Sequence, residues 1–227
     1  MSYSEIFDII EGSLEGKTHL DDLASKKQDP FKILISTILS ARTRDENTRQ
    51  ATITLSSKFK TPNQIANANL DELEKLIYKA GFYRVKAQRI KEVAKIIDKD
   101  FNGIVPDDYK DLISLPGVGS KTANCTLVYA FKKPAIPVDI HVHRISNRLG
   151  WVKTLKPEQT EEALKIIIPK DQWIRINRIF VRFGQTTCLP NRPKCDSHVC
   201  PISLRCPKDF SMELALKTKK KKKIITP

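Results

Sequence analysis

The chain has 227 residues, a formal net charge of +14 and an isoelectric point near 9.6. A length of this order accommodates one or two hydrophobic cores. The positive charge favours a polyanionic partner, because lysine and arginine release counterions when they neutralise phosphates, although a solvated basic surface is the alternative. No apolar run is long enough to cross a membrane, and the acidic N-terminal segment is unlike a signal peptide. We therefore expect a cytoplasmic protein without a membrane partner.

The first third of the chain shows strong helical periodicity. A helix is predicted over 3–14, where the apolar residues Ile6, Ile9, Ile10 and Leu14 recur at helical spacing. The segment FKILISTILSA, which follows a proline at the first helical position, is apolar nearly all round. We expect this second helix to be buried in the core of the first lobe.

The remaining predicted helices follow from the same periodicity. Thr43 or Asp45 is expected to cap the helix that begins after the buried one. Further helices are predicted over 63–67, 70–79, 84–100, 140–150, 157–167 and 171–186. No alternating strand pattern of convincing length is present, so we predict an all-α fold.

The segment 112–127, LISLPGVGSKTANCTL, is predicted to form two helices joined by a tight turn. Pro116 ends the first helix, and Gly117 and Gly119 let the backbone turn with no Cβ in the way. Gly119 or Ser120 begins the second helix, and the backbone N–H groups at a helix start can hold a phosphate at close range. The backbone of 117–120 is therefore a candidate phosphate-binding turn, and no side chain in it is expected to read sequence.

Four of the five cysteines, at positions 188, 195, 200 and 206, lie within nineteen residues of one another. A reducing compartment argues against disulfides, so this clustering predicts a metal site, with free structural thiols as the alternative. Cys125 lies apart from them, and we predict that it is buried in the second helix of the hairpin segment.

The hairpin spacing, apolar-x-x-apolar-x-Gly-x-Gly-x-x-x-Ala-x-x-x-apolar, resembles the helix-hairpin-helix of DNA repair proteins at every position. With Lys121 inside it and Asp139 eighteen residues later, in PAIPVDIHVHRISNRLG, the chain resembles the endonuclease III branch of the HhH-GPD superfamily of DNA glycosylases. The resemblance covers about residues 20–206.

This resemblance implies a two-lobed, all-helical HhH-GPD glycosylase fold. A six-helix barrel domain with the helix-hairpin-helix is expected over 23–133, and an iron–sulfur cluster domain is expected from 1–22 together with 134–211. The segment 212–227, which contains six lysines within 217–223, is predicted to be a disordered basic tail.

The implied activity is that of a base-excision-repair DNA N-glycosylase with AP lyase activity. Double-stranded DNA with oxidised pyrimidines such as thymine glycol, or with abasic sites, is the expected substrate. Because the reacting sugar carbon is shielded in a duplex, the target nucleotide has to be flipped out. We expect a monomer associated with the nucleoid.

Lys121 and Asp139 are the candidate catalytic residues. An amine that attacks C1′ displaces the base and leaves a Schiff base, which permits strand scission. The first turn of a helix disfavours a cation, which would help Lys121 to act as this nucleophile. A carboxylate stabilises the positive charge that develops as the base departs, the role expected of Asp139. Each residue alone has an ordinary alternative: a phosphate contact for Lys121 and a helix N-cap for Asp139.

Four further side chains are candidate DNA-binding residues by the same resemblance. Phe82 and Arg42 match positions from which side chains of the family enter the DNA, although relatives often have glutamine in place of Arg42. A core aromatic and a solvated loop charge are the respective alternatives. His141 and Arg144 belong to the VDxHVxR motif. His141 can support Asp139, and because it points to a different helix face from His143, we reject a metal shared by these two histidines.

The family pattern C-x6-C-x2-C-x5-C surrounds a [4Fe–4S] cluster, whereas this chain has C-x6-C-x4-C-x5-C. Cys188, Cys195, Cys200 and Cys206 are therefore the expected cluster ligands. The longer middle loop leaves zinc as a minority alternative. We expect a structural role, in which the cluster stiffens a basic loop against the DNA backbone.

Two other functions remain open from the sequence. A monofunctional adenine or thymine mismatch glycosylase of the same superfamily is disfavoured by Lys121, which those relatives generally lack. A non-catalytic DNA-binding module would use the hairpin and the cysteine site for docking alone.

Overall fold

The computed structural model describes residues 2–26, 29–215 and 218. Within this part of the chain, helices are the only regular secondary structure, which confirms the predicted all-α fold. In chain order, the helices are α1 (Tyr3–Gly12), α2 (His19–Ser25), α3 (Pro30–Ser40), α4 (Asp45–Lys58), α5 (Pro62–Asn67), α6 (Leu70–Ile77), α7 (Tyr83–Asp100), α8 (Tyr109–Ser114), α9 (Ser120–Phe131), α10 (Ile140–Arg148), α11 (Pro157–Ile167) and α12 (Trp173–Thr186).

Helix α2 was not predicted, because a single short amphipathic turn gives little periodicity. It begins with a capping box, in which the Thr18 hydroxyl accepts a hydrogen bond from the Asp21 N–H and the Asp21 carboxylate accepts one from the Thr18 N–H. The helix packs against α3, α4 and α9.

The chain divides into two compact units, Lys17–Ala135 and the pair of segments Met1–Gly16 with Ile136–Pro227. The sequence prediction put the first boundary at 22/23 rather than 16/17, because it did not anticipate α2 and the packing of α2 on the helices of the first of these units. The second boundary lies two residues later than the expected 133/134.

In the unit Lys17–Ala135, helix α3 packs against α2, α4, α7 and α9. Eight of the eleven residues of α3 are buried, and Leu34 and Leu39 are among them. This confirms the burial predicted from its apolar composition. Asp29 caps the helix through the Phe31 N–H, and Pro30 occupies the first helical position.

The other unit packs α1 and α10 against α12 around an aromatic centre. Phe7 of α1 contacts Phe180 of α12 and Trp151, with ring centroids 5.7 and 5.6 Å away. Gly150, just after α10, has φ +67°, the left-handed conformation that commonly follows the end of a helix. The cysteine segment joins the same core through Cys200 and Ile202.

Two sequence predictions need correction, and the first concerns the cap of α4. Helix α4 begins after Arg44 without a side-chain cap. Neither Thr43 nor Asp45 caps it, because each oxygen has another partner: Thr43 Oγ1 accepts from the Gly81 N–H (3.0 Å), and Asp45 Oδ2 accepts from the His19 N–H (3.2 Å).

The second correction concerns the start of the predicted tail, 212–227. Residues 211–215 form a helical turn, and Glu213 pairs with Arg148 at 2.6 Å. The rest of that tail, apart from Thr218, lies outside the described residues. Among the described helices, none is both long and apolar enough to span a membrane.

Candidate active site and cysteine cavity

The segment 112–127 forms the predicted helix-hairpin-helix from α8 and α9. Leu112 and Leu115 are buried on one side of the turn, and the Val118 N–H donates to the Leu115 carbonyl. Gly117 has φ +74°, and a Cβ at this position would lie 2.8 Å from Cδ of Arg89. The left-handed backbone conformation therefore favours glycine, whereas the exposed Arg89 side chain over the turn is flexible and would not by itself exclude a Cβ.

Helix α9 begins at Ser120, and Gly119 before it supplies no side-chain cap. A helix start that is not closed by a capping side chain can present its backbone N–H groups to a phosphate. The Val118 side chain is buried, so of this residue only the backbone can reach a ligand. Cys125 is fully buried on the same helix, as predicted.

Lys121 lies in the first turn of α9 with a half-buried side chain. Its Nζ is 3.4 Å from Oγ of Ser40, the last residue of α3. The Ser40 hydroxyl donates its own proton to the Thr37 carbonyl at 2.8 Å, so its oxygen is oriented to accept from Lys121. A hydrogen bond of 3.4 Å is long and weak, which leaves the amine free to move toward a substrate.

Ser40 is a site residue that no sequence pattern revealed. It contacts Lys121 across 81 positions of the chain. The one signal available was a polar residue at the end of an otherwise apolar helix, which is too common to identify a site.

Asp139 caps helix α10. Its Oδ1 accepts hydrogen bonds from the backbone N–H groups of His141 and Val142, both at 2.9 Å. In the described part of the chain, Oδ2 has no hydrogen-bond donor. The buried Asn177 side chain donates to the carbonyl of Pro137 at 2.8 Å, which fixes the backbone just before Asp139. The cap thus occupies one carboxylate oxygen and orients the other.

His141 and Arg144 both contact α12 at Gly184. His141 Nδ1 lies 3.1 Å from Arg144 Nη2, and a Cβ on Gly184 would overlap the same ring nitrogen. Burial lowers the pKa of His141, against the opposing effect of the Asp139 charge. Arg144 is buried and donates to the carbonyls of Gly184 (3.1 Å) and Cys188 (2.9 Å).

The candidate DNA-entering residues Arg42 and Phe82 lie together. Both have left-handed backbone conformations, with φ +51° and +58°. Arg42 is exposed, and Phe82 is 63% exposed, so neither is part of the core. The Arg42 guanidinium carbon is 5.8 Å from the centre of the Phe82 ring, within range of a cation–π contact. No sequence pattern placed these two side chains in contact.

The four clustered cysteines line one small cavity. Its apolar wall includes Ile145, Leu149, Phe183 and Ile202. All four thiols are free. Burial raises the pKa of the Cys200 and Cys206 thiols, and the neighbouring cysteines raise it further. Among the described residues, no three cysteine, histidine or acidic side chains are arranged to hold a single metal ion.

Arg148 binds the first residues of the cysteine segment. It was not among the site residues predicted from the sequence. Its guanidinium donates to the Cys188 sulfur (3.3 Å), to the carbonyls of Leu189 (2.7 Å) and Pro190 (3.1 Å), and to the Glu213 carboxylate. The available signal was its spacing of four residues from Arg144, which places the two arginines on one face of α10.

Comparison of the sequence with known proteins identifies its family. Residues 35–170 match the HhH-GPD superfamily base excision DNA repair protein family. Endonuclease III of Thermotoga maritima is 53% identical over 181 residues, which cover 80% of this chain and 84% of that protein.

Two further relatives are more distant. The chloroplastic endonuclease III homolog 2 of Arabidopsis thaliana is 42% identical over 207 residues, and this chain spans only 53% of its length. The solved structure of a trapped endonuclease III–DNA covalent intermediate is similar with a TM-score of 0.77 at 31% identity, covering 95% of this chain and 99% of that one.

Proposed function

Because the chain belongs to the endonuclease III family of the HhH-GPD superfamily of base excision DNA repair proteins, we propose that it is a DNA glycosylase with AP lyase activity. The observation that carries this proposal is the amine of Lys121, placed at the start of the second hairpin helix with a long hydrogen bond to Ser40 as its one polar contact among the described residues. Double-stranded DNA with oxidised pyrimidines or abasic sites is the proposed substrate.

In this mechanism, neutral Lys121 attacks C1′ of the damaged nucleotide through Nζ. The C1′–N bond to the base breaks, and the base leaves with the bonding electrons and a proton. The sugar ring then opens as the C1′–O4′ bond breaks: O4′ takes a proton from solvent and becomes a hydroxyl, while C1′=Nζ becomes an iminium. Asp139 supplies the negative charge that stabilises the positive charge developing at the sugar.

The iminium makes the C2′ proton acidic. Loss of this proton forms a double bond as the C3′–O3′ bond breaks, and the 3′ phosphate leaves with that electron pair. Water finally hydrolyses the iminium and releases Lys121. An abasic site enters the same sequence directly, because its C1′ aldehyde condenses with the amine and loses water.

The hairpin and the exposed pair of Arg42 and Phe82 are the proposed DNA contacts. The start of α9, where Gly119 supplies no side-chain cap, supports phosphate binding by the turn that contains Gly117 and Gly119. The exposure of Arg42 and Phe82 supports their entry into the duplex beside the flipped nucleotide.

The predicted DNA contacts of His141 and Arg144 have less support. The buried guanidinium of Arg144 already holds the Cys188 carbonyl, so positioning of the cysteine segment is the role its contacts favour.

We further propose that Cys188, Cys195, Cys200 and Cys206 hold a [4Fe–4S] cluster. The four thiols line one cavity, and the first and last cysteine intervals match those of the family's cluster pattern, which supports a cluster in which each cysteine binds a different iron. When bound, the cluster would supply a covalent cross-link and fixed charge to the segment 188–206. The monomeric state and the nucleoid-associated cytoplasmic location stay predictions.

Reductive trapping tests the proposed nucleophile. With borohydride and a duplex containing one abasic site, the wild-type protein is expected to form a stable covalent adduct, and Lys121→Gln is expected to form none. Lys99→Gln on α7 is the matched control, since it removes an exposed lysine outside the hairpin and should leave trapping unchanged. A trapped adduct with Lys121→Gln would assign the nucleophile elsewhere, and no adduct with wild-type protein would favour the monofunctional or non-catalytic alternatives.

A further inference from the structure

The two loops that carry Arg42 and Phe82 touch through their backbones. A Cβ on Gly81 would lie only 2.7 Å from the carbonyl oxygen of Arg42, a contact that a backbone atom cannot relieve. The Gly81 N–H donates to the Thr43 hydroxyl at 3.0 Å. Glycine at this position therefore permits a close approach that joins the end of α3 to the start of α7.

A buried lysine completes the junction. Lys86 is only 4% exposed, and its Nζ donates to the carbonyls of Leu39 (2.7 Å) and Ala41 (2.6 Å) and to the Thr43 hydroxyl (2.7 Å). These carbonyls lie at the C-terminal end of α3, where intrahelical donors run out and the helix dipole favours a cation. Lys86 uses all three ammonium donors on the loop that contains Arg42.

Thr43 is the shared acceptor of this arrangement. Its oxygen accepts from both Gly81 and Lys86, and its hydroxyl donates to the Ala41 carbonyl at 3.3 Å. The residue between Ala41 and Thr43 is Arg42, so this left-handed residue is held by a bond on each side. Non-glycine residues rarely adopt such conformations and keep them only where their surroundings impose them.

From this geometry we propose that Lys86 and Thr43 form a clamp that positions Arg42 and Phe82 as one rigid two-residue wedge for DNA. The proposal rests on the proposed function, because a wedge has meaning only for a protein that opens a duplex. Lys86 and Thr43 are positioning residues: the buried clamp touches no substrate, and the exposed tip it supports does. A wedge whose backbone is already ordered avoids the entropy cost of ordering two loops at the moment of nucleotide flipping.

Fluorescence of a base analogue tests the clamp without requiring catalysis. The probe is a duplex with 2-aminopurine opposite a tetrahydrofuran abasic analogue, in which unstacking of the 2-aminopurine raises its fluorescence. Wild-type protein is expected to raise the signal on binding, and the double variant Arg42→Ala, Phe82→Ala is expected to lose most of that rise. Lys86→Met, which keeps the alkyl stem and removes the amine, should fall to the level of the double variant.

Lys91→Met is the matched control for Lys86→Met. Lys91 also belongs to α7, and its Nζ donates to a carbonyl at the end of another helix, that of Ala68 at 2.5 Å. Its removal costs one hydrogen bond away from the wedge, against three in Lys86→Met, and the fluorescence rise should remain at the wild-type level. An equal loss with both variants would show a general effect of stability and would overturn the clamp.

Two substitutions of Thr43 provide a second test, which remains decisive if Lys86→Met fails to fold. Valine is nearly isosteric with threonine but lacks the hydroxyl, whereas serine keeps it. Thr43→Ser retains the hydroxyl and should retain the signal, whereas Thr43→Val should lose it and slow strand cleavage of an abasic duplex by about 10-fold or more. A wild-type signal with Thr43→Val or with folded Lys86→Met contradicts the proposal, as does a wild-type protein that gives no rise.

Failure of the clamp and failure of the proposed function give different results. Borohydride trapping of Lys121 depends on the chemistry and should persist, more slowly, in Lys86→Met and Thr43→Val. A wild-type protein that raises the fluorescence but traps no abasic DNA would retain the clamp and lose the enzymatic function.

Discussion

Asp139 caps helix α10 with Oδ1, and its Oδ2 has no hydrogen-bond donor within the described residues. The residue therefore serves the fold through one oxygen and remains able to serve a reaction through the other. Aspartate is common at the position before a helix because it forms such a cap. Here the cap also fixes the direction of Oδ2. Substitution can separate the two roles, because an asparagine oxygen caps a helix as well as a carboxylate oxygen does.

We predict that Asp139→Asn unfolds at nearly the wild-type urea concentration but excises a damaged base about 100-fold more slowly, because the stabilising charge is lost. Asp139→Ala should lose the activity and also about 1 kcal/mol of unfolding free energy, since it lacks the cap. Urea titrations and single-turnover excision assays measure the two effects. Wild-type excision by Asp139→Asn would show that the residue is a cap alone.

At the scale of elements, Lys86 links α7 to the end of α3. The sequence indicated that this lysine is buried. Lys86 falls at the same helical register as Ile90, Val93 and Ile97, all of which are buried on α7. A lysine on the apolar face of a helix requires partners for its amine. Which carbonyls provide them depends on the packing of α7 against α3, which no local pattern contains.

The buried amine also predicts a pH dependence of stability. Burial, with a smaller effect from the charge of Arg89, lowers the pKa of Lys86 to about 8. A lysine in the unfolded chain has a pKa of about 10.4. Between these values the unfolded chain binds more protons than the folded chain, so the free energy of unfolding should rise with pH across this window and then level off.

Urea unfolding of wild-type protein and Lys86→Met at about pH 7.5 and about pH 9.5 measures this slope. The wild-type increase should be absent from Lys86→Met, while Lys91→Met should retain it. Parallel curves for wild-type protein and Lys86→Met would exclude Lys86 as the titrating group.

At the scale of the whole molecule, the cysteine cavity is continuous with the core of its unit. Ile145, Leu149, Phe183 and Ile202 line the cavity and also belong to the buried apolar cluster that contains Phe7 and Phe180. A cluster held by the four cysteines would therefore stabilise the unit formed by 2–16 and 136–215, because metal binding to a folded site adds directly to folding free energy.

We predict about four iron atoms per chain in protein purified without oxygen, and loss of that iron in Cys195→Ser together with a lower melting temperature. Cys125→Ala is the control, because Cys125 is a buried cysteine of the other unit and its removal should leave the iron content unchanged. Iron analysis and thermal melting provide the measurements. Stoichiometric zinc in a colourless preparation would contradict the assignment.

The sequence alone determined the helices and the hairpin, because both follow from interactions between near neighbours. Apolar residues at helical spacing predicted α3 and α7 nearly to their ends, and Pro116 with Gly117 and Gly119 predicted the turn. The close spacing of the four cysteines likewise indicated a metal site. Helix α2 was not predicted, although Thr18 and Asp21 at its start form a capping box that is a local signal.

Only the tertiary structure decided which distant residues meet. The contacts of Lys121 with Ser40, of Lys86 with Leu39 and of Arg148 with Cys188 join residues 81, 47 and 40 positions apart. Such hydrogen bonds depend on the relative placement of packed helices, and a side chain's own neighbours in sequence carry no record of that placement. The cation–π contact between Arg42 and Phe82 arises in the same way, from two loops that the fold brings together.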